Sequence, residues 1–274
     1  MLGRRRDEPR RPPDVGTGPR ESPNTADSGE LVRPMDPLVV YGSRPAWGTP
    51  DFSPFVIKLE TWLRFAGIPY QRRNGNPMQA PKGKIPYIEI DGGKMGDSQL
   101  ILEELTRRHN ILLDQGMSTV EAATARAVRR MLEEGMYFAT LRMRWLEDET
   151  WDEQYKAFKV MFPAPIAPIV MPLLRRRIRG NAVAQGIGRH TREEAYGMAI
   201  ADLAAVEEIL GDKPYLFGTA PRSVDATVYA FLVAIQNYPV NTSVVAAANA
   251  PSLRAYTARI KEKYWPATEM AAGE

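Results

Sequence analysis

Gly83-Lys84-Ile85-Pro86-Tyr87-Ile88-Glu89-Ile90-Asp91-Gly92-Gly93, followed closely by Gly96-Asp97-Ser98, decides how this chain is read. Pro86 donates no backbone hydrogen bond and biases Ile85 toward extended backbone. Ile85 is therefore free to offer its own N–H and C=O to a peptide-like ligand, as an added strand. Residues 86–90 and 93–95 form a hairpin around Asp91-Gly92. Asp97-Ser98 then opens an amphipathic helix carrying Leu100, Ile101, Leu102 and Leu105 and ending near Asn110. Helix openings present free N–H groups to an anion. The stretch thus describes one side of a cleft, with a strand edge and a helix start.

Working outward, Leu38-Val39-Val40-Tyr41 reads as a buried strand ending at Gly42. Residues 42–52 form a long loop containing Trp47. Ser53-Pro54 has the form of a helix N-cap followed by proline at the first helical position. Phe55, Leu59, Trp62, Leu63 and Ala66 share one helical face, and Gly67 closes the helix. Pro69 to Arg72 is a second strand, so the order is β-α-β with a parallel pair. Residues 37–112 are accordingly expected to form a small α/β domain.

Residues 117–266 read as an all-helical domain. Ser118-x-x-Glu121 is a capping box before a long helix reaching Trp145, and Thr191-x-x-Glu194 is a second, opening a helix that stops at Gly211. Residues 152–162 suggest a shorter helix. Val160 to Leu174 is apolar but broken by Pro163, Pro165, Pro168 and Pro172. Arg175, Arg176, Arg177 and Arg179 follow it and are expected on a solvated helical face. Ser223 to Asn237 is apolar nearly all round, as a central buried helix would be. Leu253 to Lys263 is the last helix.

Composition narrows the chemistry. The chain contains no cysteine, which excludes disulfides, thiolate metal sites and a cysteine nucleophile. Only His109 and His190 are present, so a histidine-built metal centre is not expected. A net charge of +3 is too small to argue for nucleic acid. The proline-broken apolar run is too short to span a bilayer, and no apolar leader opens the chain. A cytoplasmic protein without a transmembrane segment is expected. Residues 1–36 and 267–274 are expected to be tails, the first disordered because it has almost no aliphatic side chains to bury.

An α/β domain with this Ile-Pro hairpin and Asp-Ser helix start, joined to an all-helical domain, resembles the glutathione S-transferase superfamily. Four stretches are similar to its failed-axon-connections and metaxin-like branch: Ser53 to Leu63, Ala80 to Ile88, Gln185-Gly186-Ile187-Gly188-Arg189-His190-Thr191 and Ser223 to Val228. The resemblance implies a thioredoxin-like N-terminal domain and a C-terminal helical bundle. It implies that the Ile85–Pro86 bond is cis, a form common only before proline. It further implies transfer of a small thiol to an electrophile, the thiol being glutathione or another low-molecular-weight thiol bound as substrate. Ile85 would then pair with the cysteinyl backbone of the thiol. Asp97 and Ser98 would take the γ-glutamyl end, and Ser53 would stabilise the thiolate. Homodimerisation is compatible with the resemblance. So is a different role, that of a non-catalytic protein-binding or assembly module of metaxin-like type.

The chain departs from the enzyme pattern in four places. Val56 stands where disulfide-exchanging relatives carry a second cysteine. Residues 71–85 are short for a segment that usually contains a helix. The 42–52 loop lengthens the approach to Ser53. Arg222 occupies a usual Ser/Thr cap position, which leaves Ser223 to cap and Asp225 to assist. Several residues also have structural readings: Ser53 as a plain helix cap, Tyr41 as a strand-end aromatic, and Asp225 as a partner for helix-end N–H groups. Trp47, Tyr137, Arg144 and Trp145 suit either core packing or a pocket between the domains. His190 is expected to serve packing or a loop hydrogen bond.

Overall fold

A computed structural model describes residues 37–266, and both expected tails lie outside the described residues. Strand β1 (Leu38–Gly42) runs parallel to β2 (Tyr70–Asn74), joined by helix α1 (Pro54–Phe65). β3 (Tyr87–Ile90) lies antiparallel to β1, pairing Val40 with Ile88 and Tyr41 with Tyr87. β4 (Gly93–Gly96) returns along β3, giving the sheet order β2-β1-β3-β4. The turn between them places Asp91 and Gly92 at positive φ, 52° and 71°, as a tight two-residue hairpin requires. Helix α2 (Ser98–His109) follows. Val40, Leu59, Trp62, Leu63, Ile88, Ile101 and Leu105 close the core between the sheet and its two helices.

The helical half begins with α3 (Thr119–Arg130), whose capping box joins Ser118 and Glu121 as expected. The helix does not run evenly to Trp145. Residues Met131–Met136 form a π-helical segment before α4 (Tyr137–Trp145). Then come α5 (Asp148–Lys159), α6 (Ala167–Gln185), α7 (Arg192–Leu210), α8 (Ser223–Gln236), α9 (Ser243–Ala248) and α10 (Pro251–Tyr264). The proline-rich run is only partly a break. Pro168 sits in the first turn of α6 and Pro172 lies inside it. A proline in the first turn forfeits no intrahelical bond, and Pro172 forfeits one. The short α9, capped by Thr242, carries no pattern that marked it in the sequence.

The two halves share their cores. Ile57 of α1 belongs to the helical core, while Ala226 of α8 packs into the sheet core. Val224 to Ile235 are buried without interruption, confirming α8 as the central helix. Its start is held by Asp225, fully buried, which accepts from the N–H of Leu216 and Arg222 and from the Tyr256 hydroxyl at 2.9, 2.7 and 2.8 Å. Ser223 does not cap this helix. Its hydroxyl instead accepts from the Trp62 indole at 3.1 Å, tying α8 to α1.

Candidate functional site

Ser53 stands at the N-cap of α1 with extended backbone (φ −91°, ψ 119°), where Ser-Pro should place it. Its hydroxyl makes no capping hydrogen bond. Pro54 removes one helix-end donor, and the backbone carbonyl of Ser53 takes two more, from Val56 and Ile57. The hydroxyl is thus not committed to closing the helix.

The loop before Ser53 is fixed from both sides. Asp51, 1% exposed, accepts from the N–H of Ser43 and of Ser53, each at 2.7 Å. It also pairs with Arg72 of β2, which reaches the Pro50 carbonyl at 2.5 Å and lies 3.6 Å from Glu60. Burial pushes the Asp51 carboxyl up to about 7, against the pull of Arg72 and the two N–H groups. Farther out, Trp47 packs edge-on against Tyr238 (4.9 Å between ring centroids) and Phe52 against Phe158 (4.5 Å). The long loop is therefore clamped onto the helical half.

Behind this loop is a cavity of about 190 Å³. Ser43, Phe52, Ser53, Pro54 and Ile85 line it from the sheet half, and Tyr137, Thr140, Leu141, Arg144, Trp145, Gln154, Phe158, Phe231, Ala234 and Ile235 from the helical half. Ser53 and Ile85 are thus brought to one space. The Ile85–Pro86 bond is cis and Pro86 is buried. Ile85 is backed by Gly75, where a Cβ would meet the Gly42 carbonyl at 3.1 Å and Ile85 Cγ2 at 3.2 Å. A glycine is what lets the β2 end approach so closely.

Asp97 and Ser98 are not among the cavity-lining residues. Asp97, at φ 86°, is the N-cap of α2, and its Oδ1 accepts from Gln99 and Leu100 at 3.0 and 3.2 Å. Ser98 is buried beside it. The start of α2 is linked to the helical half by Lys58. This α1 side chain is fully buried and donates to Gln99 Oε1 at 2.9 Å and to Glu133 at 2.6 Å. Glu133 lies in the π-helical segment and also pairs with Arg129 at 2.8 Å. Burial lowers the Lys58 pKa and Glu133 opposes that shift.

Other sequence candidates take structural roles. Tyr41 does not line the cavity; it stacks on Tyr87 (4.5 Å) and donates to Glu89 at 2.7 Å. His190 lies 3.5 Å from Glu194 on the surface. Arg175 donates to the carbonyls of Trp145 and Leu146, and Arg179 to Leu146, so two of the arginines close the end of α4. The β2–β3 connection holds only a three-residue turn of 3-10 helix, Pro77–Gln79. Sequence reasoning missed Asp51, Arg72, Lys58 and Gln154. The first three act through a partner distant along the chain (Arg72 with Asp51, Lys58 with Glu133), Gln154 is marked only by its burial at the cavity wall, and only Asp51, two residues before the cap, is in a position to be noticed.

Among the described residues, no group of three or more His, Asp or Glu could hold a metal ion, and no helix is long and apolar enough to cross a membrane. The family model for the glutathione S-transferase N-terminal domain matches residues 54–150, and that for the glutathione S-transferase C-terminal domain matches residues 199–260. An isoprene-epoxide–glutathione S-transferase of Rhodococcus sp. (strain AD45) is 34% identical over 239 residues, covering 83% of this chain and 99% of that protein. This chain belongs to the glutathione S-transferase family. Within the family it is similar to Failed axon connections of Drosophila melanogaster (28% over 233 residues, 79% of this chain) and to Metaxin-1 of Homo sapiens (24% over 271 residues, 92% of this chain). The chain spans 55% and 57% of those two relatives, respectively. Among solved structures, a glutathione S-transferase from Methylobacterium radiotolerans in complex with glutathione sulfonate superposes with TM-score 0.53 at 15% identity, covering 87% of this chain and 94% of that one. That likeness is one of fold: a thioredoxin-like domain with a helical bundle.

Proposed function

We propose that this protein transfers a small thiol, glutathione or another low-molecular-weight thiol, to an electrophilic substrate. Ile85 pairs with the thiol's backbone, and Asp97 and Ser98 take its γ-glutamyl end. Ser53 donates its hydroxyl hydrogen bond to the sulfur. A hydroxyl donor beside the positive end of a helix favours the thiolate, lowering a pKa that is normally about 8.5. The thiolate then forms a C–S bond at an electrophilic carbon. A leaving group departs with its bonding pair and the thiol's proton passes to solvent. On an epoxide, the class named for the Rhodococcus relative, the C–O bond breaks and the oxygen takes up that proton.

One observation carries this reading. Ser53 lines the cavity with Ile85, and its hydroxyl makes no capping bond at a position where caps usually do. The test is calorimetric titration with glutathione and a panel of other small thiols, using Ser98→Ala and Gly75→Ala as comparisons. Micromolar to millimolar binding that weakens in both variants supports it. Failure to bind any thiol rejects it.

A second reading is a non-catalytic assembly module of metaxin-like type. It is favoured by the three-residue turn where a helix usually helps to hold the ligand, and by Asp97 occupying two N–H groups of α2. Recovery of one stoichiometric protein partner, unaffected by thiols, would support this reading. Rapid conjugation of a generic electrophile would count against it.

A further inference from the structure

Among the described residues, Arg144 is the only charged side chain lining the cavity, and it forms no ion pair. Its guanidinium lies against the rings of Trp47 and Tyr238, 5.4 and 5.1 Å from their centroids, and donates one N–H to the Ala234 carbonyl. Its Nε is buried and makes no hydrogen bond among the described residues. Burial lowers its pKa only to about 10, so it stays charged at neutral pH. Four acids at and along α5 pair with other bases: Glu147 with Arg142, Asp148 with Arg175, Glu149 with Arg192 and Glu153 with Lys156.

Gln154 makes the second observation. It is 1% exposed, lines the same cavity, and its Oε1 has no hydrogen-bond partner among the described residues. Buried charges are ordinarily paired, and buried amides ordinarily bonded, because each costs free energy otherwise. Two such groups facing one apolar space call for a partner that brings negative oxygen to the arginine and a hydrogen-bond donor to the amide oxygen. The remaining wall is largely aromatic and aliphatic, with Phe52, Leu141, Phe158 and Phe231. A cavity of about 150 Å³ holds a benzene ring; this one, at about 190 Å³, has room for a ring and a small head group.

We infer that the electrophile subsite selects substrates carrying a carboxylate on a compact apolar or aromatic body, with Arg144 holding the carboxylate and Gln154 Oε1 left to accept from a donor group on that body. The word electrophile rests on the transferase reading; the carboxylate preference does not. A guanidinium–carboxylate contact in a dry site is strong and directional, and it places the body of the substrate against the wall that Ser53 and Ile85 complete.

The experiment is calorimetry on the full chain with phenylacetate and its neutral isostere phenylacetamide, without thiol present. Glutathione is titrated separately on the same samples. Phenylacetate is expected to bind about 10- to 100-fold more tightly, the range for a hydrogen bond to a charged group. Arg144→Met is expected to abolish that preference, Arg144→Lys to keep part of it, and Gln154→Leu, which removes only an acceptor, to preserve it, while glutathione affinity stays unchanged. Equal affinity for the two probes, no phenylacetate binding, or a preference that survives Arg144→Met overturns the inference. So does a parallel loss of glutathione affinity in Arg144→Met, which would assign the arginine to a carboxylate of the thiol itself. Should Arg144→Met fail to fold, the two-probe comparison on the unmodified chain and on Arg144→Lys still decides. A bound phenylacetate, with no binding of glutathione or of any other thiol in the panel, would reject the transferase reading and leave the carboxylate site standing.

Discussion

The carboxylate of Asp51 and the guanidinium of Arg72 form an ion pair that fastens the loop before Ser53 to strand β2. Asp51 also holds the N–H of Ser43 and Ser53, so one side chain sets the backbone on both sides of the cavity mouth. Asp51→Ala leaves Arg72 and two N–H groups without their acceptor. It is expected to cost about 2–4 kcal/mol, the lower part of the range for breaking a buried pair because Arg72 is partly exposed. Chemical denaturation measures this.

The same pair gives stability a pH dependence. Burial raises the folded-state pKa of Asp51 to about 7, against an unfolded value near 4. The native state therefore binds the extra proton, and the contribution of Asp51 is full below pH ~4 and lost as pH rises through ~7. Asp51→Asn should flatten the decline between those limits. Melting curves across that window check it, and an unchanged slope would refute the assignment.

Lys58 is fully buried and rests on Glu133 and Gln99. Glu133→Leu leaves a buried ammonium facing an apolar side chain and is expected to destabilise by about 3–5 kcal/mol. Lys58→Met combined with Glu133→Leu should recover most of that loss, because the removed pair also carried its own desolvation cost. A double-mutant cycle in denaturant provides the comparison.

Gly75→Ala places a methyl group within 3.1 Å of the Gly42 carbonyl and 3.2 Å of Ile85. A backbone neighbour cannot yield as a flexible side-chain end can. The substitution is expected to cost about 1–3 kcal/mol, as overpacking does, and to shift the Ile85 amide resonance. Thiol affinity should fall in step with that shift.

Ser53→Ala separates a cap from a thiolate partner. An ordinary N-cap serine contributes about 1 kcal/mol. Because this hydroxyl makes no capping bond, the loss should be under about 0.5 kcal/mol. The conjugation rate should fall about 10- to 100-fold with thiol affinity little changed, as expected when a donor matters most to the charged sulfur. Steady-state kinetics and melting on one sample distinguish the two roles.

Much of this was legible in the sequence because it rests on local rules. Ser53-Pro54 marks a helix start, Ile85-Pro86 an extended edge, Asp91-Gly92 a hairpin turn, and two capping boxes their helices. Asp97 caps α2 where the Asp-Ser pair placed the helix start. What escaped depends on pairs far apart along the chain. Arg72 meets Asp51 only once β1 and β2 are side by side, and Lys58 meets Glu133 only once the halves have packed. The π-helical turn before α4 and the passage of α6 through Pro172 follow from packing, which overrides a local preference that a single sequence does show. Trp47, Tyr137, Arg144 and Trp145 were candidates for a pocket or for core. Tyr137, Arg144 and Trp145 line the cavity, and Trp47 stacks behind Arg144.

The most direct test is a spectroscopic titration of the thiol group of glutathione bound to this protein. The bound thiol is expected to titrate well below the free value near 8.5, returning toward that value in Ser53→Ala while the ligand stays bound. A bound thiol that titrates like the free one in the unmodified protein, or a shift that Ser53→Ala leaves intact, would contradict that expectation.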